Sequence, residues 1–134
     1  MKIIFIPHLP SLYGRRYNIA KSLARQGHEV HFIIWDMPYP LTVKRFIDHL
    51  KSSVRVSVKE DRKNLYIHKV SRLPLFWPII NGLIFKYQIK KIHEHYKTDV
   101  IISQSFTNEN EPPLSIPIIY DINDDHQAYA DIYG

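Results

Sequence analysis

The sequence contains no cysteine, which removes disulfide frameworks and thiolate chemistry together and fits a reducing compartment. Glycine is scarce, with four in the whole chain, and neither G-x-G-x-x-G nor G-x-x-x-x-G-K-[ST] occurs. Dinucleotide and P-loop nucleotide binding therefore lose their main sequence support. There is no G-x-S-x-G, and no serine sits in a nucleophile elbow, so hydrolase readings are poor. D-x-D spacing is also missing, which leaves little basis for a metal site. Long apolar runs are absent as well. Ile3-Ile4-Phe5-Ile6 is closed by Pro7, short of the ~7–15 residues of a signal-peptide core. The stretch from Leu73 to Phe85 is broken by Pro74, Pro78, Asn81 and Gly82, and no segment approaches the ~20 apolar residues of a membrane span. A cytoplasmic protein is expected, with peripheral contact at the inner face of a membrane as the nearest approach to lipid.

What is present suits a folded chain. Apolar residues at 45% and charged residues at 23% have the balance of a domain with a real core. The 134 residues suffice for a single domain. The net charge of +5 is unevenly laid out: basic residues run from Lys2 to Lys97, and the last third is acidic. A nucleic-acid binder would concentrate its cations on one stripe among stacking aromatics, so no nucleic-acid partner is expected. A basic face toward phosphates or anionic lipid fits better.

Periodicity orders the elements. Lys2–Pro7 reads as a parallel strand buried on both faces. Gly14–Gln26 reads as a helix with Tyr17, Ala20, Leu23 and Ala24 inward, stopped by Gly27 in the left-handed conformation. Val30–Trp35 is a second strand, completing a βαβ unit. Beyond Pro38 and Pro40, a short helix over Thr42–Leu50 would turn Val43, Phe46, Ile47 and Leu50 inward. Val54–Val58 and Leu65–Val70 alternate around a polar turn at Asp61-Arg62-Lys63-Asn64, as a hairpin or two short strands. Trp77–Tyr96 is a long helix with Ile80, Leu83, Ile84, Tyr87 and Ile92 at helical spacing. Strands Val100–Ser105 and Ile116–Ile122 follow, separated by a loop at Thr107–Pro113, and Asp124 or Asp125 is placed to cap a last helix. The expected architecture is α/β: one Rossmann-like three-layer domain with a mainly parallel sheet.

Such sheets bind ligands beyond the carboxyl ends of their strands. That rule selects His8–Arg16, Asp36–Pro40, Ser103–Asn108 and Asp121–His126. In the first segment, a helix N-terminus with Arg15 and Arg16 offers backbone and bidentate donors to phosphate or carboxylate, against the plainer reading of a solvated helix start. In the last, Asn123, Asp124, Asp125 and His126 supply groups that grip sugar hydroxyls or move a proton, against a helix cap with acids complementing the macrodipole. Ser103 and Gln104 close a buried strand with hydrogen-bonding groups. His93 and His95 lie two apart on one helix, point apart, and are expected on a solvated helix end. The segment Leu73–Ile80 followed by Lys86, Lys90 and Lys91 fits a core-packed crossover helix or, alternatively, a membrane-surface segment.

Ala20-Lys21-Ser22-Leu23-Ala24-Arg25-Gln26-Gly27-His28-Glu29-Val30 resembles the "A-x-x-L…G-H-E-V" opening of retaining GT-B glycosyltransferases of family four. Ile118-Ile119-Tyr120-Asp121-Ile122-Asn123-Asp124-Asp125 is similar to that family's "v-v-y-D-x-H-D" at a later strand end. The two departures are Tyr13-Gly14 where the family has a glycine pair, and Asn123 where many members have histidine. No E-x7-E pair for holding a nucleotide-sugar occurs. The resemblance implies the N-terminal, acceptor-side half of a sugar transferase, without a donor-binding domain and inactive alone, using neither cofactor nor metal. A nucleotide-sugar and an acceptor would meet it through a second Rossmann domain or a partner chain. It places Gly14, Arg15 and Arg16, beside Tyr13, on the cleft wall near phosphate or acceptor. Asn123 and Asp124, beside Asp125 and His126, would meet sugar or acceptor, with His8, Ser103 and Gln104 as further contacts. Two other classes stay open: a non-catalytic membrane-surface or partner-binding subunit, and a flavodoxin-like nucleotide binder.

Overall fold

The computed structural model describes residues 1–7, 14–36, 57–71, 78–104 and 115–121, together with positions 42, 44, 47 and 48. Among the described residues six strands form one sheet: β1 (Lys2–Ile6), β2 (Glu29–Asp36), β3 (Ser57–Arg62), β4 (Leu65–Ser71), β5 (Val100–Ser103) and β6 (Ile118–Tyr120). Two long helices among the described residues accompany them, α1 (Arg15–Arg25) between β1 and β2 and α2 (Pro78–Tyr96) between β4 and β5. The strand order is β3-β4-β2-β1-β5-β6, and every pairing is parallel except that of β3 with β4. The chain builds outward from β1 to β2 and β4, then crosses back over α2 to lay β5 on the other side of β1. The reversal of winding falls between β1 and β5.

Each sheet face carries its own apolar cluster, because side chains alternate along a strand. On one face Phe5, Val30, Phe32, Leu65 and Ile67 pack against Ala20 and Ala24 of α1, where two small residues let the helix lie close. On the other, Ile4, Ile6, Ile33, Val70 and Ile101 pack against Phe85, Ile89 and Ile92 of α2. The result is three layers, helix on sheet on helix. From Ile3 to Ile6 β1 is apolar because both of its faces are covered, and each such isoleucine or phenylalanine removed from water contributes roughly 1.5–3 kcal/mol. α1 ends as its sequence implies: Gly27 takes φ 90°, and His28 N–H returns to Leu23 O at 3.2 Å.

Several expectations need correction. The polar turn is shorter than Asp61–Asn64, since β3 runs on to Arg62 and only Lys63 and Asn64 are left between the strands. Asn64 tolerates φ 65° there, and the register slips between Glu60 and Arg62, so the strand accommodates Asp61 as an extra residue. β3 and β4 form an antiparallel hairpin. The last two strands are shorter than expected, with β5 ending at Ser103 and β6 covering Ile118–Tyr120. Of the helix expected over Thr42–Leu50, Lys44, Ile47 and Asp48 are helical, and Ile47 faces outward instead of into a core. The largest correction concerns α2. Its inward face is Phe85, Gln88, Ile89 and Ile92, whereas Ile80, Leu83 and Tyr87, which share the helical spacing, stand in solvent. Of the five residues at helical spacing, Ile92 is buried and Ile84 half-buried as well; the helix carries apolar residues on both faces, so periodicity alone does not separate the core side from the solvent side.

Candidate functional site

At the winding reversal the ends of three parallel strands are tied together. Gln104 N–H donates to Ile6 O at 3.0 Å, joining the segment after β5 to the end of β1. Asp121 N–H donates to Ser103 O at 2.9 Å, joining the segment after β6 to β5. Gln104 Nε2 then donates to Asp121 Oδ2 at 2.6 Å. A carboxylate only accepts, so this bond fixes which end of the Gln104 amide faces Asp121. The other end, Oε1, is buried and has no hydrogen-bond partner among the described residues. A buried acceptor without a donor costs about 1–3 kcal/mol, and such a group in a folded protein calls for an explanation. Here it lies on the carboxyl edge beside the winding reversal, the position at which sheets of this class take ligands.

α1 supplies the second component. It begins just beyond the carboxyl end of β1, and Gly14 stands at its N-cap with φ 90° and ψ −168°, a conformation open to glycine at no steric cost. A Cβ at Gly14 would meet nothing within 4 Å, so the backbone angle, not crowding, requires glycine here. The first turn of α1 has no acidic residue and no side-chain cap. Its N–H groups and partial positive charge are thus not neutralised by a carboxylate of that turn, and Arg15 and Arg16 add two cations, the first exposed and the second half-buried. Chemically, the edge combines anion-attracting donors on α1 with an acceptor, Gln104 Oε1, suited to a hydroxyl or N–H.

Of the residues singled out from sequence, Gly14, Arg15, Arg16, Ser103 and Gln104 fall on this carboxyl edge, as does Asp121 at the head of the acidic cluster. Ser103 and Gln104 are buried, which goes beyond an ordinary polar strand end. His8, Tyr13, Asn123, Asp124, Asp125 and His126 lie outside the described residues. His93 and His95 go separate ways: His93 Nδ1 bonds Thr98 Oγ1 at 2.9 Å, and His95 meets Tyr96 edge-on. Among the described residues no group of three ligand-type side chains is placed to hold a metal. An open depression of about 370 Å³ lies at the opposite, amino edge, between the end of α1 and the β3–β4 turn. It is lined by Arg25, Arg62 and Lys63 but faces the carbonyl end of α1, and it gathers no unpartnered buried group, so the carboxyl edge is the better candidate.

A polar network elsewhere was missed from sequence. His31 on β2 and His68 on β4 are fully buried beneath α2, with His31 Nδ1 and His68 Nε2 2.9 Å apart. His31 Nε2 also lies 3.0 Å from Glu29 Oε1. The carboxylate demands a proton on His31 Nε2, so in the neutral pair His31 Nδ1 accepts from His68 Nε2–H. His68 Nδ1 then keeps a bare lone pair, and it is indeed buried without a partner among the described residues. Burial, reinforced by the neighbouring His31 and His95, pushes His68 down to about 3. Burial also lowers His31, against the opposing pull of Glu29. The 3.0 Å contact to Glu29 is therefore a hydrogen bond from a neutral imidazole, not an ion pair. The available signal was the interruption of two buried apolar strands by histidine.

No family model, curated protein or solved structure matches the chain. Among the described residues, no helix is long and apolar enough to cross a membrane.

Proposed function

We propose that this chain forms the acceptor-side wall of a nucleotide-sugar-dependent glycosyltransferase, one half of a GT-B cleft completed by a second Rossmann domain or a partner chain. The observation that carries the reading is the buried Gln104 Oε1, unpartnered among the described residues, at the winding reversal between β1 and β5 and on the same sheet edge as the start of α1, which has no side-chain cap. An acceptor hydroxyl would satisfy the amide oxygen, and a phosphate or carboxylate would take the α1 N–H groups with Arg15 and Arg16. The A-x-x-L…G-H-E-V resemblance and the similarity around Asp121 support the same assignment, since together they bracket nearly the whole chain, although only the second of them lies on this edge. Stabilisation of a leaving diphosphate would come from helix dipoles and basic side chains. Asn123 and Asp124 are assigned contacts with sugar or acceptor, and no residue is assigned as catalytic.

The chain alone is expected to turn over no sugar, so the test is binding. Amide shift mapping with a hexose phosphate should perturb Gly14, Arg15, Arg16, Gln104 and Asp121 in a saturable way, and Gln104→Leu should abolish the response at its own position and at Asp121. Calorimetry should find no tight complex with a flavin mononucleotide or a nicotinamide dinucleotide. Tight binding of either would replace this reading with the flavodoxin-like one, and shifts confined to the amino edge would refute it.

A further inference from the structure

A surface helix of a globular protein normally turns one apolar stripe to the core and a polar face to water. α2 does not. Phe85, Ile89 and Ile92 face the sheet, while on the opposite side Leu83 is 63% exposed, Tyr87 44% and Ile80 41%. These three follow one another at intervals of three and four residues and form a stripe along the first three turns, with half-buried Ile84 beside it. Scattered exposed apolar residues are ordinary, but an aligned set on one helix marks a contact surface.

The charges around the stripe identify its partner. Lys86, Lys90 and Lys91 flank or follow it, and Glu94, already paired with Lys90 at 3.8 Å, is the only carboxylate on α2. Lys91 Nζ sits 4.8 Å from the centre of the Tyr87 ring, so a cation and an aromatic ring are presented together. A second copy docked on this face would bring two sets of three lysines together, which argues against self-association. A surface both anionic and apolar beneath satisfies both components at once, with lysine heads at the phosphates and Ile80, Leu83 and Tyr87 inserted below them.

We infer that the outward face of α2 docks on an anionic phospholipid surface, the helix axis lying along it. The first turns of α2 follow β4 and so stand at the carboxyl edge of the sheet, which brings the docked face to the same end of the molecule as Gln104 and Gly14. The inference is independent of sugar transfer and would hold equally for a non-catalytic subunit.

Sedimentation of the chain with phosphatidylcholine vesicles, with and without phosphatidylglycerol, tests it. Binding should require phosphatidylglycerol and fall with added salt. Leu83→Asp should weaken it roughly tenfold, as expected for one buried leucine. The triple variant Lys86→Gln, Lys90→Gln, Lys91→Gln should weaken it by at least roughly tenfold, at about fivefold per effective lysine. These side chains are exposed or half-exposed, and an unchanged circular dichroism spectrum and melting temperature would show that the variants fold. Failure to bind phosphatidylglycerol vesicles at low salt, equal binding to neutral vesicles, or undiminished binding by folded Leu83→Asp would each overturn it. So would a dimer in light scattering that Leu83→Asp dissolves, because the face would then be occupied by a second copy.

Discussion

His68 donates from Nε2 to Nδ1 of His31 across the β2–β4 seam at 2.9 Å, and His31 passes its own proton toward Glu29 at 3.0 Å. The groups surrounding the pair are Glu29, Lys2, Tyr66, His95 and Tyr96; Tyr96 packs its ring 4.2 Å from that of His31. Neither imidazole gains from protonation, since His68 Nδ1 has no acceptor to reach.

The sign of the pH dependence follows. Both histidines are depressed in the folded chain, so below the ordinary value near 6.5 the unfolded chain binds more protons and stability falls. The contribution is fully present above about pH 6.5, and for His68 the loss continues until about pH 3. At about pH 5 it amounts to roughly 2 kcal/mol from His68 alone, and His31 acts in the same direction. Urea midpoints compared at about pH 7.5 and about pH 5 should show that loss, and His68→Gln should flatten the profile. A wild-type midpoint that does not move over this interval would mean that the pair is hydrated.

A second expectation concerns how α1 is attached to the hairpin. Tyr17 Oη donates to Asp61 Oδ2 at 2.5 Å, while its ring rests edge-on against Phe32. This bond is the leading cause of the lowered Asp61 carboxyl, whereas the Tyr17 hydroxyl is raised first by burial and then by Asp61. Tyr17→Phe keeps the ring and removes the bond, so it should cost about 1 kcal/mol in chemical denaturation. In a double-mutant cycle, Asp61→Asn should add little once Tyr17→Phe is present.

The α2 core is expected to be less forgiving. Phe85 is completely buried, with its ring 4.7 Å from Trp35 and its neighbours drawn from both sides of the winding reversal. Phe85→Ala should cost about 3–5 kcal/mol, read as a lower urea midpoint. Leu83→Ala, two residues away on the same helix but facing out, should change stability by less than about 0.5 kcal/mol.

Gln104 separates structure from binding. Gln104→Leu removes a buried acceptor that has no partner among the described residues, and Asp121 remains open enough to turn to water. Stability should therefore change by less than about 1 kcal/mol, in contrast to the usual cost of deleting a buried polar group. The same substitution should erase the hexose phosphate response at its own position and at Asp121. A large loss of stability would assign Gln104 to the scaffold.

The parts of the fold that were legible in sequence are those where local pattern and burial agree. Ile3 to Ile6 has no polar residue because both faces of β1 are covered, and Gly27 ends α1 where only a left-handed residue fits. The carboxyl edge was legible for the same reason, since Gly14–Arg16 and Ser103–Gln104 follow directly from where β1 and β5 stop. What was not legible depends on neighbours distant in sequence. Ile80, Leu83 and Tyr87 repeat at the same period as Phe85, Ile89 and Ile92, and only the sheet decides which set it covers. His31 and His68 are far apart along the chain, and their pairing exists only through the parallel register of β2 and β4. The strand boundary at Arg62 was missed because every residue of β3 is exposed and its charges read as a turn.

That charged strand also governs how the sheet ends. β3 caps the β4 side with Lys59, Glu60, Asp61 and Arg62, none of them buried, and with a register slip that spoils a regular ladder. A neighbouring molecule seeking to extend the hydrogen-bonded array from this flank would have to desolvate both signs of charge and match an irregular repeat. Fibre growth through this flank is thereby discouraged, although the strands behind it, rich in isoleucine and valine, would otherwise be strong templates.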